Sequence, residues 1–389
     1  MIPITKPLLG EEEALAAARV IRSGWLVQGS EVARFEQSVA ELVGARHAVA
    51  VSSGTCALHL ALVALGIAPD DEVIVPSLGF IATANVVLHA GGRPVLVDVD
   101  SGTFNLDPRA VAAAITPRTR VVIPVHQLGL PAEMTPLLAL ADTHGLALLE
   151  DAACALGSEY HGQRAGSLGR LGCFSFHPRK VITTGEGGMV TTDDDGLADT
   201  LRALRSHGMT ITPAQRHQAR QVLESGGAGG RSEQCEIAGF NFRMTDVQAA
   251  VGLAQLQRLP EILRRRRQLA RRYDQALAGS PISPPVAPAG LLHTYQSYMV
   301  LLPERCLATQ RDAVIRQLLD QEISTRRALM AIHQQPLYRR LAGTPATLPV
   351  TEQVARRGMM LPLYPQLSEG EQDHVVRALI EAVERIVPG

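Results

Sequence analysis

Short runs of β-branched and apolar residues recur along the N-terminal part of the chain: HAVAVSS (47–53), DEVIVP (71–76), RPVLVDVD (93–100), RVVIPV (120–125) and LALLEDA (146–152). Between several of them lie helix-patterned stretches such as TCALHLALVALG and MTPLLALADTHG. That alternation is the signature of βαβ units, so it predicts an α/β fold built on a mostly parallel sheet between helices. In such sheets ligands bind beyond the carboxyl ends of the strands, and functional residues are expected just after each run.

The 389 residues, 46% of them hydrophobic, can build a sizeable core, one large domain with a smaller one. A formal net charge of -1 leaves no global field to draw the chain onto nucleic acid or a membrane surface. The N-terminus has no signal pattern and no stretch is apolar enough to span a bilayer. Five scattered cysteines without a C-x-x-C pair fit a reducing compartment, which is read as cytoplasmic, and no ligand spacing suggests a metal. After GMVTT (188–192) a helix is expected near 195–206, then a polar, glycine-containing insertion around 209–238 for which a lid is one reading. A helix from about Thr245 through RRRRQLARRY follows, and the chain is divided near Pro260 into a large domain, 1–260, and a small one, 261–389. The arginine run 264–267 reads as a solvated helix face. Beyond Pro288, QSYMVLLP, RDAVIRQLLDQ and a final helical segment suit an α+β unit.

Three segments carry the chemistry. In SSGTCALHLAL (52–62) a strand ends and a helix begins; Gly54 permits close backbone approach and Thr55 offers N–H and hydroxyl donors at the positive helix end. This outlines a phosphate cradle or an ordinary capped turn. In LLEDAACALG (148–157) an apolar strand runs into Glu150 and Asp151, where a carboxylate needs a fixed partner or serves as a helix cap. In CFSFHPRKVITTGEGGMV (173–190) Ser175 and His177 share a strand face and Lys180 follows in the loop, either as a solvated residue or as an amine held for carbonyl chemistry. Their order decides: an anion site, a strand-end aspartate and a lysine after a strand are what pyridoxal phosphate (PLP) requires. Neither the G-x-x-x-x-G-K-S/T loop nor G-x-G-x-x-G after the first strand is present.

Ordered motifs along nearly the whole chain, among them IPITKPLLGEEE, SGWLVQG, EVIVPSLGFIATANVVLHAGGRPVLVDVD, EDAACALGSEYHG, GFNFRMTDVQAAVGLAQL and LPLYP, resemble the DegT/StrS family of fold type I PLP enzymes, chiefly nucleotide-sugar aminotransferases. The resemblance implies a large domain with a seven-stranded-type sheet and a smaller C-terminal domain. It implies that Lys180 forms the Schiff base and that Asp151 keeps the pyridine nitrogen protonated. Gly54, Thr55 and Ser175 match phosphate ligands, Phe80 in PSLGF the ring that stacks on the cofactor, and Asn241 a phosphate contact supplied by the neighbouring subunit of a homodimer with shared active sites. The implied reaction takes an amino group from an amino acid, glutamate or glutamine, to a keto sugar, with PLP cycling through pyridoxamine phosphate (PMP) in ping-pong fashion.

Departures fall around the site. Cys154 stands where the family usually has Gln or His near the cofactor's ring hydroxyl, Gly79 replaces a threonine, and Gln296 replaces a histidine of many relatives. His177, Arg326 and His333 are candidate substrate contacts. A cyclitol-ketone aminotransferase, a PMP-dependent sugar dehydratase and a PLP-binding regulator are the alternatives; the dehydratases carry histidine at the lysine position, which Lys180 opposes.

Overall fold

The computed structural model describes residues 1–209, 234–342 and 347–388. Residues 210–233, most of the insertion read as a lid, lie outside the described residues.

Seven strands form the central sheet in the spatial order His47–Val51, Gly188–Thr192, Leu171–Ser175, Ala147–Asp151, Thr119–Val122, Glu72–Pro76 and Arg93–Val97. Gly188–Thr192 runs antiparallel to both its neighbours, and the other pairs are parallel. Alternate residues serve opposite faces. Val49, Val51, Val73, Val75, Leu149 and Val190 pack on one side against helices Gly54–Ala64 and Ala82–His89. Ala48, Ala50, Phe174 and Met189 turn to the other side, beside Val32 and Phe35 of helix Ser30–Val43. Burial on both faces is why these strands read as continuous apolar runs.

Thr245 opens the helix Asp246–Ala276 with a capping box: its hydroxyl accepts from the Gln248 N–H, and the Gln248 side chain accepts from the Thr245 N–H. The helix continues through Pro260. Its first half sends Ala249, Leu259, Ile262 and Leu263 into the core beside the sheet. Its second half sends Leu269, Ala270 and Tyr273 into a C-terminal core. That core lies around an antiparallel sheet ordered Tyr298–Leu301, Gly358–Leu361, Arg326–Arg327, with helices Ala308–Asp320 and Glu369–Ile386. Two short pairings join the parts: Leu291–Leu292 with Glu159–Tyr160, and Met330–Ala331 with Leu78–Gly79.

The arginine run is not a solvated face. Arg266 is 2% exposed and donates to the carbonyls of Tyr295, Gln296 and Leu363 at 3.1, 3.2 and 3.3 Å. Arg265 reaches the carbonyls of Pro365 and Leu367, and Arg267 that of His293, while Arg264 is exposed. Burial pulls the Arg266 guanidinium down to about 10, so it remains a cation at neutral pH. Its acceptors come from segments far away in sequence, which local composition does not display. Charge-assisted bonds to a sealed cation predict that Arg266→Ala costs about 3 kcal/mol in urea denaturation. Arg264→Ala is expected to stay within about 0.5 kcal/mol.

Candidate active site

The first strand ends at Val51, and, two residues on, the Ser53 side chain caps helix Gly54–Ala64 by accepting from the Cys56 N–H at 3.1 Å, while the Ser53 carbonyl takes the Ala57 N–H. The Gly54 and Thr55 N–H groups are left at the open, positive end of the helix. Ser175, at the end of Leu171–Ser175, packs directly on this turn. A Cβ on Gly54 would sit 2.7 Å from the Ser175 Cβ and 3.1 Å from its Oγ. Glycine is therefore required for two backbone donors and a hydroxyl to meet in one anion cradle.

The two acids of strand Ala147–Asp151 point to opposite faces and are satisfied separately. Glu150 accepts from the Gly166, Leu168 and Gly169 N–H groups, each at 2.7 Å, and meets His126 Nε2 at 2.8 Å. The Ala132 N–H donates to His126 Nδ1 at 3.0 Å, which assigns the ring proton to Nε2 and directs it at Glu150. Glu150 is thus consumed by the scaffold. Asp151 is buried and accepts from the Thr83 hydroxyl at 2.7 Å and from the Ala153 N–H at 3.2 Å. Thr83 lies in the first turn of helix Ala82–His89. It holds one carboxylate oxygen and leaves lone pairs for a further donor.

Asp151 stands in register with Cys173, two residues before Ser175, so aspartate and cradle occupy adjacent strand ends. Burial, with Asp151 and Glu150 nearby, pushes the Cys173 thiol well up, and it stays protonated. The loop after Ser175 is pinned by Phe176, whose N–H donates to the Gly187 carbonyl and whose own carbonyl accepts from the Thr184 N–H and the Thr183 hydroxyl. Gly185 adopts φ 81°, the left-handed turn that TTGEGG supplies. Lys180 leaves this loop with its N–H on the His177 carbonyl and its Nζ 3.2 Å from Cys154 Sγ, on the turn that follows Asp151. From the C-terminal part, Gln296 donates through Nε2 to the Arg179 carbonyl at 2.7 Å, and its N–H reaches the Leu128 carbonyl. The lysine is thereby held from both sides of the cleft.

The remaining candidates fall into two groups. Phe80 is 67% exposed, Asn241 is exposed beside Ser206, and Arg326 reaches the cleft next to Arg179. His177 turns inward on its own loop, its Nδ1 accepting from the Arg179 N–H. His333 has both ring nitrogens engaged, by Ser77 Oγ at 2.7 Å and Glu352 at 3.2 Å, and is buried. It fastens the segment after Met330–Ala331 to Ser77, so its expected contact with substrate is not carried forward. Sequence reasoning missed Ser53, Thr83, His126 and the grip of Gln296. Ser53 was open to discovery as a helix cap, whereas Thr83 and Asp151 are joined only by the fold.

An anion cradle, a buried aspartate at the end of a parallel strand and a lysine across from them define a PLP-binding transferase of fold type I. The chain belongs to the DegT/DnrJ/EryC1/StrS aminotransferase family, whose model matches residues 7–380. It is 41% identical, over 100% of its length and 97% of the relative's, to the spore coat polysaccharide biosynthesis protein SpsC of Bacillus subtilis. The aminotransferase TlmJ from Streptoalloteichus hindustanus superposes with a TM-score of 0.90 at 34% identity, covering 100% of each chain. Spr1654 from Streptococcus pneumoniae, in its PMP form, gives 0.91 at 28% identity over 99% of this chain and 100% of that one, and it is also known in a PLP form. The protein is accordingly a PLP-dependent aminotransferase whose cofactor alternates between PLP and PMP.

The cradle carries a direct prediction. Gly54→Ala places a methyl against Ser175, and PLP affinity, measured by fluorescence titration of the cofactor-free protein, is expected to fall at least about tenfold with the circular dichroism unchanged.

Proposed function

We propose that this chain moves an amino group from glutamate or glutamine to a keto sugar, a nucleotide-linked keto-deoxysugar fitting best, by a ping-pong sequence. The observation that carries the reading is Lys180 Nζ poised over the turn that follows Asp151, beside the cradle. The printed role of SpsC in polysaccharide biosynthesis supports a sugar as acceptor.

In this reading Gly54, Thr55 and Ser175 bind the cofactor phosphate, and Asn241 of a second copy adds a donor, so that a homodimer completes two sites. Phe80 supplies a flat face for the ring. Asp151, fixed by Thr83 and Ala153, would be the residue that holds the ring nitrogen of the bound cofactor. Cys154, a weak donor, would take the place beside the cofactor's ring hydroxyl. Bound PLP supplies an electron sink and ferries the amino group as PMP. Lys180 carries the proton to and from the substrate carbon, and its backbone, tied to His177 and through Arg179 to Gln296, keeps that amine on one side of the cleft.

PLP-loaded protein should show a visible absorption band that glutamate or glutamine bleaches and a suitable keto sugar restores. Lys180→Ala should lower turnover by about 10³-fold or more. A wild-type spectrum indifferent to every amino acid would refute the reading.

A further inference from the structure

Lys180 Nζ lies 3.2 Å from Cys154 Sγ, and that thiol is the hydrogen-bond partner of the amine among the described residues. Both residues are half-buried, so neither atom is sealed from a small solute. The contact is built from both ends. Cys154 sits on the turn after Asp151, where the Ala153 N–H donates to the Asp151 carboxylate, the Ala155 N–H to the Ala152 carbonyl, and the Thr294 hydroxyl to the Cys154 carbonyl. Lys180 donates its own N–H to the His177 carbonyl, and the Arg179 carbonyl before it is held by Gln296. With both backbones fixed, only the long lysine side chain must move for nitrogen and sulfur to meet. The other cysteines differ: Cys173 and Cys306 are buried, Cys56 accepts from the Ser52 hydroxyl, and Cys235 is exposed. All are free thiols, and among the described residues Cys154 is the one in contact with an amine.

We propose that Cys154 and Lys180 form an oxidation-sensitive pair, in which peroxide joins Sγ to Nζ through a sulfenamide bond whenever the lysine carries no cofactor. The thiolate attacks one peroxide oxygen, the O–O bond breaks and water leaves; sulfur is oxidised to a sulfenic acid as the peroxide is reduced. The Nζ lone pair then attacks Sγ, the S–O bond breaks, and the hydroxyl departs as water with a proton from the amine. Each bond formed consumes one peroxide and yields two waters. Two equivalents of a thiol reductant restore the cysteine and the amine and leave as their own disulfide. A sulfenic acid held against an amine is captured before it reaches the irreversible sulfinic acid, which makes the modification recoverable. Its consequence for activity rests on the reading of Lys180 given above: an amine tied to sulfur cannot take up PLP, and a lysine already joined to PLP cannot be tied.

The test treats the full-length protein, cofactor-free and PLP-loaded, with a small excess of hydrogen peroxide, followed by non-reducing digestion and peptide mass mapping. Cofactor-free wild type should yield the Cys154 and Lys180 peptides joined and lighter than their sum by two hydrogens, and dithiothreitol should separate them. PLP loading should cut the joined species at least about tenfold. Cys235→Ser should leave its yield unchanged, whereas Cys154→Ser and Cys154→Ala should not form it. In Lys180→Ala, dimedone, which captures sulfenic acids, should label Cys154 instead. Dimedone label or sulfinic acid on Cys154 of the cofactor-free wild type, with Lys180 free, would overturn the proposal. So would a joined species heavier by an oxygen, because sulfur and nitrogen would then be bridged and not bonded. Reductant-reversible joining to the same extent with and without PLP would support the pair while removing Lys180 as the cofactor's lysine; no joining in a protein that takes up PLP on Lys180 would remove the pair alone.

Discussion

Two carboxylates side by side at the end of a central buried strand set the terms for everything around them. Neither Glu150 nor Asp151 can be left without donors in that position, since an unpaired buried carboxylate costs several kcal/mol, on the order of a domain's whole stability. Strand alternation sends them to opposite faces, and the chain answers each differently. Glu150 takes three backbone N–H groups and His126, which fixes the turn at 166–169 and the loop at 126–132. Asp151 takes Thr83 and Ala153 and keeps capacity in reserve on the side where Lys180 and the cradle lie. One acid is used up by the scaffold and the other keeps lone pairs for a further donor.

The second constraint is that the lysine loop belongs to one part of the chain while its grip comes from the other. Arg266 on the long helix holds the carbonyls of Tyr295 and Gln296, Gln296 holds the carbonyl of Arg179, and Lys180 is the next residue. Thr294 adds a bond from its hydroxyl to the Cys154 carbonyl at 3.1 Å. A long helix shared by both cores makes this linkage possible, because a cation on its second half can reach segments that close over the first core. Placement of Lys180 thus depends on how the C-terminal part seats against the sheet.

Much of this was legible in the sequence, and the reasons are physical. Strands buried on both faces announce themselves as apolar runs, and the Thr245 cap with Gln248 three residues later marks the start of the long helix. Lys180 stood out because it follows a strand and precedes a glycine turn. The pairing of Thr83 with Asp151 was hidden, since 68 residues separate them and either side chain alone has an ordinary reading. Arg266 was misread because four arginines in a row suggest water, and its carbonyl acceptors arrive from loops that only the folded chain brings near. His333 looked like a substrate contact for the converse reason: the sequence cannot show that Ser77 and Glu352 already occupy it.

The chain contains two lysines, Lys180 in the cleft and Lys6, which is exposed near the N-terminus. Borohydride treatment of the PLP-loaded protein, followed by peptide mass mapping, therefore tests the central claim with almost no ambiguity. The account predicts a phosphopyridoxyl group on the Lys180 peptide and its absence after Gly54→Ala at limiting PLP. Label on Lys6 or on the N-terminal amine, or no covalent label at all, would contradict it.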